Sequence, residues 1–164
     1  MAQAIKKKNT KAVEHEAHVA LVECNCLDFS FTEFAQKNKE IIPHTGYAYQ
    51  FRLNVTIKES DKNVSFTLTV QIYQGSDKEI KEKICSVTSL VVFNIANFET
   101  VLRRDKTGRH EIPQELNGVF GEVAVSTTRG ILCAKLTDTI YSNAIIPLLN
   151  VPEFIKRMAQ VDDK

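Results

Sequence analysis

The sequence predicts an α+β fold, a four-stranded antiparallel sheet with helices gathered on one face, and three observations carry that prediction. Two neighbouring segments alternate apolar and polar residues with a period of two. The strand-like segments all precede Asn97, while helical spacing follows it. No alternation of strand and helix, the mark of a parallel sheet, lies between them.

The chain has 164 residues, 43% hydrophobic and 25% charged, which suits one domain able to bury enough apolar surface to offset its chain entropy. Residues 1–17 are expected to be a flexible basic tail, because "IKKKNTK" gathers Lys6, Lys7, Lys8 and Lys11 without apolar periodicity. Residues 18–160 form the single domain and 161–164 a short tail. A net charge of +1, from 21 Lys and Arg against 20 Asp and Glu, gives no overall field toward nucleic acid or an anionic membrane. No apolar run approaches a membrane span or follows the lysines as a secretion signal would, so a cytoplasmic protein with no membrane insertion is expected.

The first strand is "HVALVECNCLDFSFTEF", from His18 to Phe34. Leu27, Phe29 and Phe31 alternate cleanly, whereas Val19, Ala20, Leu21 and Val22 are apolar on both sides. Such a strand is buried on both faces at one end or carries a bulge. In "QFRLNVTI" the apolar side is Phe51, Leu53, Val55 and Ile57; in "VSFTLTVQIY" it is Val64, Phe66, Leu68, Val70 and Ile72. The linker "KESDKN" supplies turn residues, so these two half-buried strands form an antiparallel hairpin. After "QGSDKE" a fourth strand runs through "KEKICSVTSLVVFNI".

Helix signals follow. Asn97 is a candidate N-cap in "NFETVLRR", and Pro113 stands where a helix can start. From Gln114 to about Lys135, the residues Leu116, Val119, Phe120, Val123, Thr127, Ile131 and Ala134 keep helical spacing. Pro147 blocks a helix in "TDTIYSNAIIPLLNVPEF", and Asn150 to Pro152 read as the cap of a terminal helix carrying Phe154, Ile155 and Met158.

The stretch "AVSTTRGILCAKLT" has the look of chemistry, with Ser126, Thr127, Thr128, Arg129, Cys133 and Lys135. Its one glycine lies inside a helical pattern, whereas a phosphate loop places glycines before a helix N-terminus. No motif joins His15, His18, His44 or His110 to a nucleophile, so no catalytic residues and no enzyme are expected. Cys24 and Cys26 share a strand face and have no partner His or Cys at zinc spacing; with Cys85 and Cys133 they read as strand-face or buried thiols, and neither metal nor cofactor is expected. Ser126, Gly130 and Ala134, four apart, instead form a small-residue face. A glycine inside a helix costs about 1 kcal/mol against alanine, and close packing is the natural compensation. Thr127 and Thr128 can bond back to the preceding turn, and Arg129 needs a carboxylate or solvent.

The strand ending "LDFSF", the hairpin "YQFRLNVTIKESDKNVSFTLTVQI", the closing "VVFNIANFE", the helix "FGEVAVSTTRGILCAKL" and "IIPLLNVPEF" together resemble the SecB and SecB-like family of export chaperones, over about Ala20 to Met158. The resemblance implies a meander with a crossover loop between the first two strands, a long helix and a C-terminal helix, assembled as a dimer of dimers. It implies that the first strand, with Leu21, pairs with its copy, and that Ser126, Gly130 and Ala134 lie between subunits. It further implies that unfolded or precursor polypeptides bind, without nucleotide, in an apolar groove assigned to Phe34, Ile41, Ile42, Tyr47, Tyr49, Phe154 and Met158. An ordinary core or subunit interface is the competing explanation for those side chains. Asp28 matches one acidic position of the surface with which the family meets the SecA motor, and Glu33 neighbours another. Thr32 and Ser86 stand where acids are expected, which weighs against SecA and toward a SecB-like module dedicated to one partner such as an antitoxin.

Overall fold

The computed structural model describes residues 16–37, 46–76 and 79–159. Its centre is the hairpin of β2 (Tyr47–Lys58) and β3 (Asn63–Ser76), in unbroken antiparallel register from Tyr47 opposite Gln74 to Lys58 opposite Asn63. The turn is a 3-10 helix over Glu59–Asp61 closed by Lys62 in the left-handed region at φ 54°. β4 (Glu79–Ile95) continues the meander on the far side of β3, and β1 (Val19–Phe31) pairs antiparallel with β4, giving the order β1-β4-β3-β2. The first two strands are thus the two edges, and the chain crosses between them after α1 (Glu33–Lys37).

Strand alternation gives the sheet two unlike faces. One face carries Phe51 and Leu53 of β2, Val64, Phe66, Leu68, Val70 and Ile72 of β3, and Val87, Val91 and Phe93 of β4. These β3 and β4 side chains are buried. The other face is mainly polar, with Gln50, Arg52, Thr69, Gln71, Ser86 and Thr88, and carries Leu90 and Val92 of β4; the Thr69 and Thr88 hydroxyls meet at 3.0 Å. In β1 the register shifts twice, between Leu21 and Glu23 and between Cys26 and Asp28. The expected bulge is therefore present. Burial of this strand on both faces is not, since Val22 and Leu27 at the shifts are 54% and 55% exposed.

α3 (Gln114–Leu136) lies across the apolar face, with Pro113 just before its first turn. Phe120 stacks on Phe93 with centroids 4.1 Å apart, and both meet Phe66 edge-on. Further along, Val125, Leu132 and Leu136 join a second cluster with Leu68, Val70, Ile72 and Val87. Between the clusters Ser89 and Thr128 are both fully buried, their hydroxyl oxygens 2.6 Å apart. Thr128 donates to the Ala124 carbonyl at 2.7 Å, so the Ser89 hydroxyl donates in turn to Thr128.

The buried arc of α3 departs from the expected stripe. Gly118, Phe120, Gly121, Ala124, Val125, Thr128, Leu132 and Leu136 face inward, whereas Val119 is 54% exposed and Ala134 is exposed. The reason is α4 (Val151–Ala159), which packs on the flank where Gly118 and Gly121 lie and makes small residues interior. A Cβ on Gly121 would clash with Ile155 Cδ1 and stand 3.0 Å from Val151 Cγ1. As expected, Asn150 caps α4, its side-chain oxygen accepting from the Glu153 N–H at 3.4 Å.

Two small elements follow β4: α2 (Phe98–Val101) and a ribbon of β5 (Arg103–Arg104) with β6 (His110–Glu111). Asn97 precedes α2 without a side-chain cap bond; its amide instead accepts from His18 N–H at 3.0 Å and donates to the Glu16 carbonyl at 2.8 Å, tying down the start of β1. Among the described residues no helix is long and apolar enough to cross a membrane.

Thr128→Val strands the buried Ser89 hydroxyl and is expected to lower unfolding free energy by about 1–3 kcal/mol, while Ser89→Ala combined with Thr128→Val recovers most of the loss. Urea denaturation of the two single variants and the double variant checks this. Gly121→Ala gains about 1 kcal/mol of helix propensity but meets overpacking of about 2 kcal/mol against Ile155 and Val151, so a net loss of about 1 kcal/mol is expected in the same assay.

Candidate functional site

At the β2 edge of the sheet, residues 144–150 form an irregular strap between α3 and α4. Its side chains divide sharply. Ala144 and Ile146 are buried, whereas Ile145 is 54% and Leu148 92% exposed. Burying a leucine is worth about 1.5–3 kcal/mol, so the strap forgoes stability by presenting these side chains to water.

Hydrogen bonds hold it in this form. Arg129, for which a carboxylate or solvent was expected, forks onto two backbone carbonyls, Nε to Ile146 at 3.0 Å and an Nη to Pro147 at 2.9 Å. From β2, the Tyr49 hydroxyl donates to the Ile145 carbonyl at 2.9 Å. Burial, followed by the neighbouring Tyr47 and Cys85, pushes the Tyr49 phenol up to about 12, so it remains a donor across the physiological range. Cys85 beneath it is likewise pushed up to about 12 by burial, against the pull of Lys83, and stays a neutral thiol. This is an apolar, uncharged floor rather than a set of poised acids and bases.

Aromatic side chains share a core cluster with the strap's buried Ala144 and Ile146. Tyr49 stacks on Phe51, which meets Phe154 of α4 edge-on at 5.4 Å. Of the residues assigned to a binding groove, Phe34 and Tyr49 are half-buried, while Tyr47 and Phe154 are buried within the protomer. Ile41, Ile42 and the Met158 side chain lie outside the described residues. The sequence reading missed Ile145, Leu148 and the anchoring role of Arg129; the signal was an apolar run interrupted by Pro147, which cannot be buried as a helix or strand.

The residues assigned to assembly sit on open surfaces. Leu21 is 54% exposed on β1, whose outer edge has no strand partner among the described residues. Ser126, Gly130 and Ala134 share the exposed side of α3, and a Cβ at Gly130 would meet nothing within 4 Å. Glu122, Ser126 and Arg129 line a shallow depression with Leu148 and Leu149. Asp28 is exposed in register with Thr88 on the polar sheet face, and Glu33 is exposed and paired with Lys37. Thr32, standing where an acid was expected, accepts from the Ala35 N–H at 3.3 Å and donates to the Lys83 carbonyl at 2.5 Å, which secures α1 to β4.

A second group of polar side chains lies near the β2–β3 turn. Glu59 pairs with Arg104, and its other oxygen is 3.3 Å from His110 Nε2. Partial desolvation acts to raise the Glu59 pKa, but the His110 contact and the Arg104 guanidinium outweigh it and the carboxyl falls below the ordinary range.

No family model matches the chain and no curated protein matches it. Among solved structures it is similar to a Mycobacterium tuberculosis SecB-like chaperone in complex with an antitoxin peptide, at 9% identity and a TM-score of 0.48, over 81% of this chain and 86% of that one. It is also similar to a protein of unknown function from Streptococcus agalactiae, at 16% identity and a TM-score of 0.26, over 82% of this chain and 99% of that one.

Arg129→Met is expected to cost about 1.5–3 kcal/mol by leaving the Ile146 and Pro147 carbonyls without their charged donor, and Arg129→Lys to restore only part of that, since one ammonium cannot reproduce the planar fork. Equal stability of the Lys variant and the parent in urea denaturation would contradict this account of the strap.

Proposed function

We propose that this chain is a SecB-like chaperone that holds extended, non-native segments of other polypeptides without nucleotide, as an assembly of several copies. The observation that carries the reading is the strap, whose Ile145 and Leu148 are held in water by Arg129 and Tyr49. Apolar side chains fixed on the surface suit a client selected for being unfolded, because such a client offers apolar segments of no fixed shape. Tyr49 is bonded to this surface and Phe154 lies in the core cluster beneath it; Phe34, Ile41, Ile42, Tyr47 and Met158 are assigned to the same binding region by the resemblance.

Assembly in this reading uses the β1 edge and the outer side of α3, the latter bordering the strap where Ser126 and Leu148 line one depression. β1 with Leu21 pairs with its copy through its outer edge, and the Ser126, Gly130 and Ala134 side of α3 receives a second pair, giving a dimer of dimers. β1 is the edge of the sheet opposite to β2, to which the strap is bonded, so joining copies along β1 leaves the strap open.

The clients are either a broad set of precursors, as export requires, or one dedicated partner such as an antitoxin. The near-neutral sheet face, with Thr32 spent on fastening α1 and Ser86 in place of acids, favours the dedicated partner and disfavours SecA, leaving Asp28 and Glu33 as its candidate contacts. Pull-down from the source cell separates the two, one dominant protein against many precursors.

The protein is expected to suppress aggregation of a chemically unfolded model protein at near-stoichiometric amounts without ATP. Ile145→Asp combined with Leu148→Asp abolishes this, with an unchanged oligomer by light scattering. No suppression by the intact parent overturns the chaperone reading, and dissociation of the double variant reassigns the strap to an interface. Gly130→Leu is expected to break the assembly; an unchanged mass removes that face of α3 from it.

A further inference from the structure

Glu59 at the β2–β3 turn, Glu99 on α2 and His110 on β6 come from three separate parts of the chain, yet their ligand-type atoms lie within 4.8 Å of one another. Two carboxylates this close repel each other. The cationic neighbour Arg104 occupies one oxygen of Glu59, and Glu99 has no ion pair among the described residues.

The independent observation is His110. Its side chain is only 7% exposed, and neither ring nitrogen has a hydrogen-bond partner. The approach of Nε2 to Glu59 at 3.3 Å is close without being aligned for hydrogen bonding. A buried imidazole with both nitrogens unsatisfied is rare, because one carries a proton and the other a lone pair. Its ring is fixed edge-on against Phe98 at 4.9 Å, so the residue beside Glu99 sets the orientation of the imidazole.

From this juxtaposition we propose that His110, Glu59 and Glu99 bind one divalent first-row transition cation, with zinc the best fit. Glu99 and the Glu59 oxygen that Arg104 leaves free supply the carboxylate ligands, the imidazole lone pair selects the cation over magnesium or calcium, and solvent reaches the remaining position beside the exposed Glu99. A cation there clamps the hairpin turn, α2 and the ribbon to one another, at the end of the molecule from which α3 departs.

The test uses full-length, tag-free protein stripped with chelator and dialysed against zinc, with bound metal measured by atomic emission and the thermal midpoint followed alongside. About one zinc per chain and a raised midpoint are expected, with cobalt showing absorbance of a site containing nitrogen and oxygen ligands. Glu99→Gln, at an exposed position, is expected to keep the parent's circular dichroism and bind zinc at least about tenfold more weakly. Cys24→Ser combined with Cys26→Ser is expected to bind as the parent does. Absence of zinc from the parent, undiminished binding by Glu99→Gln, or loss of binding in the cysteine variant overturns the proposal.

Discussion

The seat of α3 on the sheet is the contact on which the rest of the molecule depends. At Ser89 the apolar face of β4 becomes small and polar, and the helix answers with Ala124 and Thr128 at the same level. Each hydroxyl finds its partner within the seat, so the helix comes close at its middle without leaving a buried donor unused. The aromatic cluster of Phe66, Phe93 and Phe120 then closes one end, and Val125, Leu132 and Leu136 close the other. With α3 fixed in rotation, Gly118 and Gly121 point to the flank where α4 lies, and Arg129 reaches the carbonyls of the strap. A small rotation of α3 would break both relations together.

How much of this was legible follows from what each element depends on. β2 and β3 are half-buried strands joined by a short turn, and their alternation is a property of their own residues, so both the elements and the pairing could be read. The place of β1 beside β4 depends on a crossover, which periodicity does not encode. In α3 a hydrophobic stripe was the wrong guide, because the second layer provided by α4 makes Gly118 and Gly121 interior and leaves Val119 outside. Within the protomer a close approach exists at Gly121, which spacing did not single out, while a Cβ at Gly130 would meet nothing within 4 Å of the same chain. Asn97 has the composition of a cap but is engaged by His18 and Glu16, which lie far away in sequence. The grouping of Glu59, Glu99 and His110 leaves no trace in spacing, since only the hairpin turn, α2 and a ribbon of two-residue strands bring the three together.

The stretch from Ala124 to Thr137 shows why a residue list is a poor guide to chemistry. Every polar group in it that the fold uses is spent on structure: Thr128 on its own helix and Ser89, Thr127 within reach of Cys24 at 3.8 Å, Arg129 on two carbonyls, Thr137 on the Cys133 carbonyl at 2.8 Å. Hydroxyls bonded back along a helix need no external partner, and that is what permits several of them in one packed segment. The guanidinium is the exception, because it carries the order of α3 outward to a segment with no regular structure of its own.

That outward connection bears on how the strap can meet another chain. A loop that kept its apolar side chains in water only by being mobile would have to be ordered on binding, and the entropy lost would weaken the contact. Here the carbonyls of Ile145, Ile146 and Pro147 are bonded to Tyr49 and Arg129, so the backbone from which Ile145 and Leu148 project is held in place. The burial of Ala144 and Ile146 and these hydrogen bonds together set the shape of the strap and leave Ile145 and Leu148 outward. The same bonds leave the apolar area of Ile145 and Leu148 exposed.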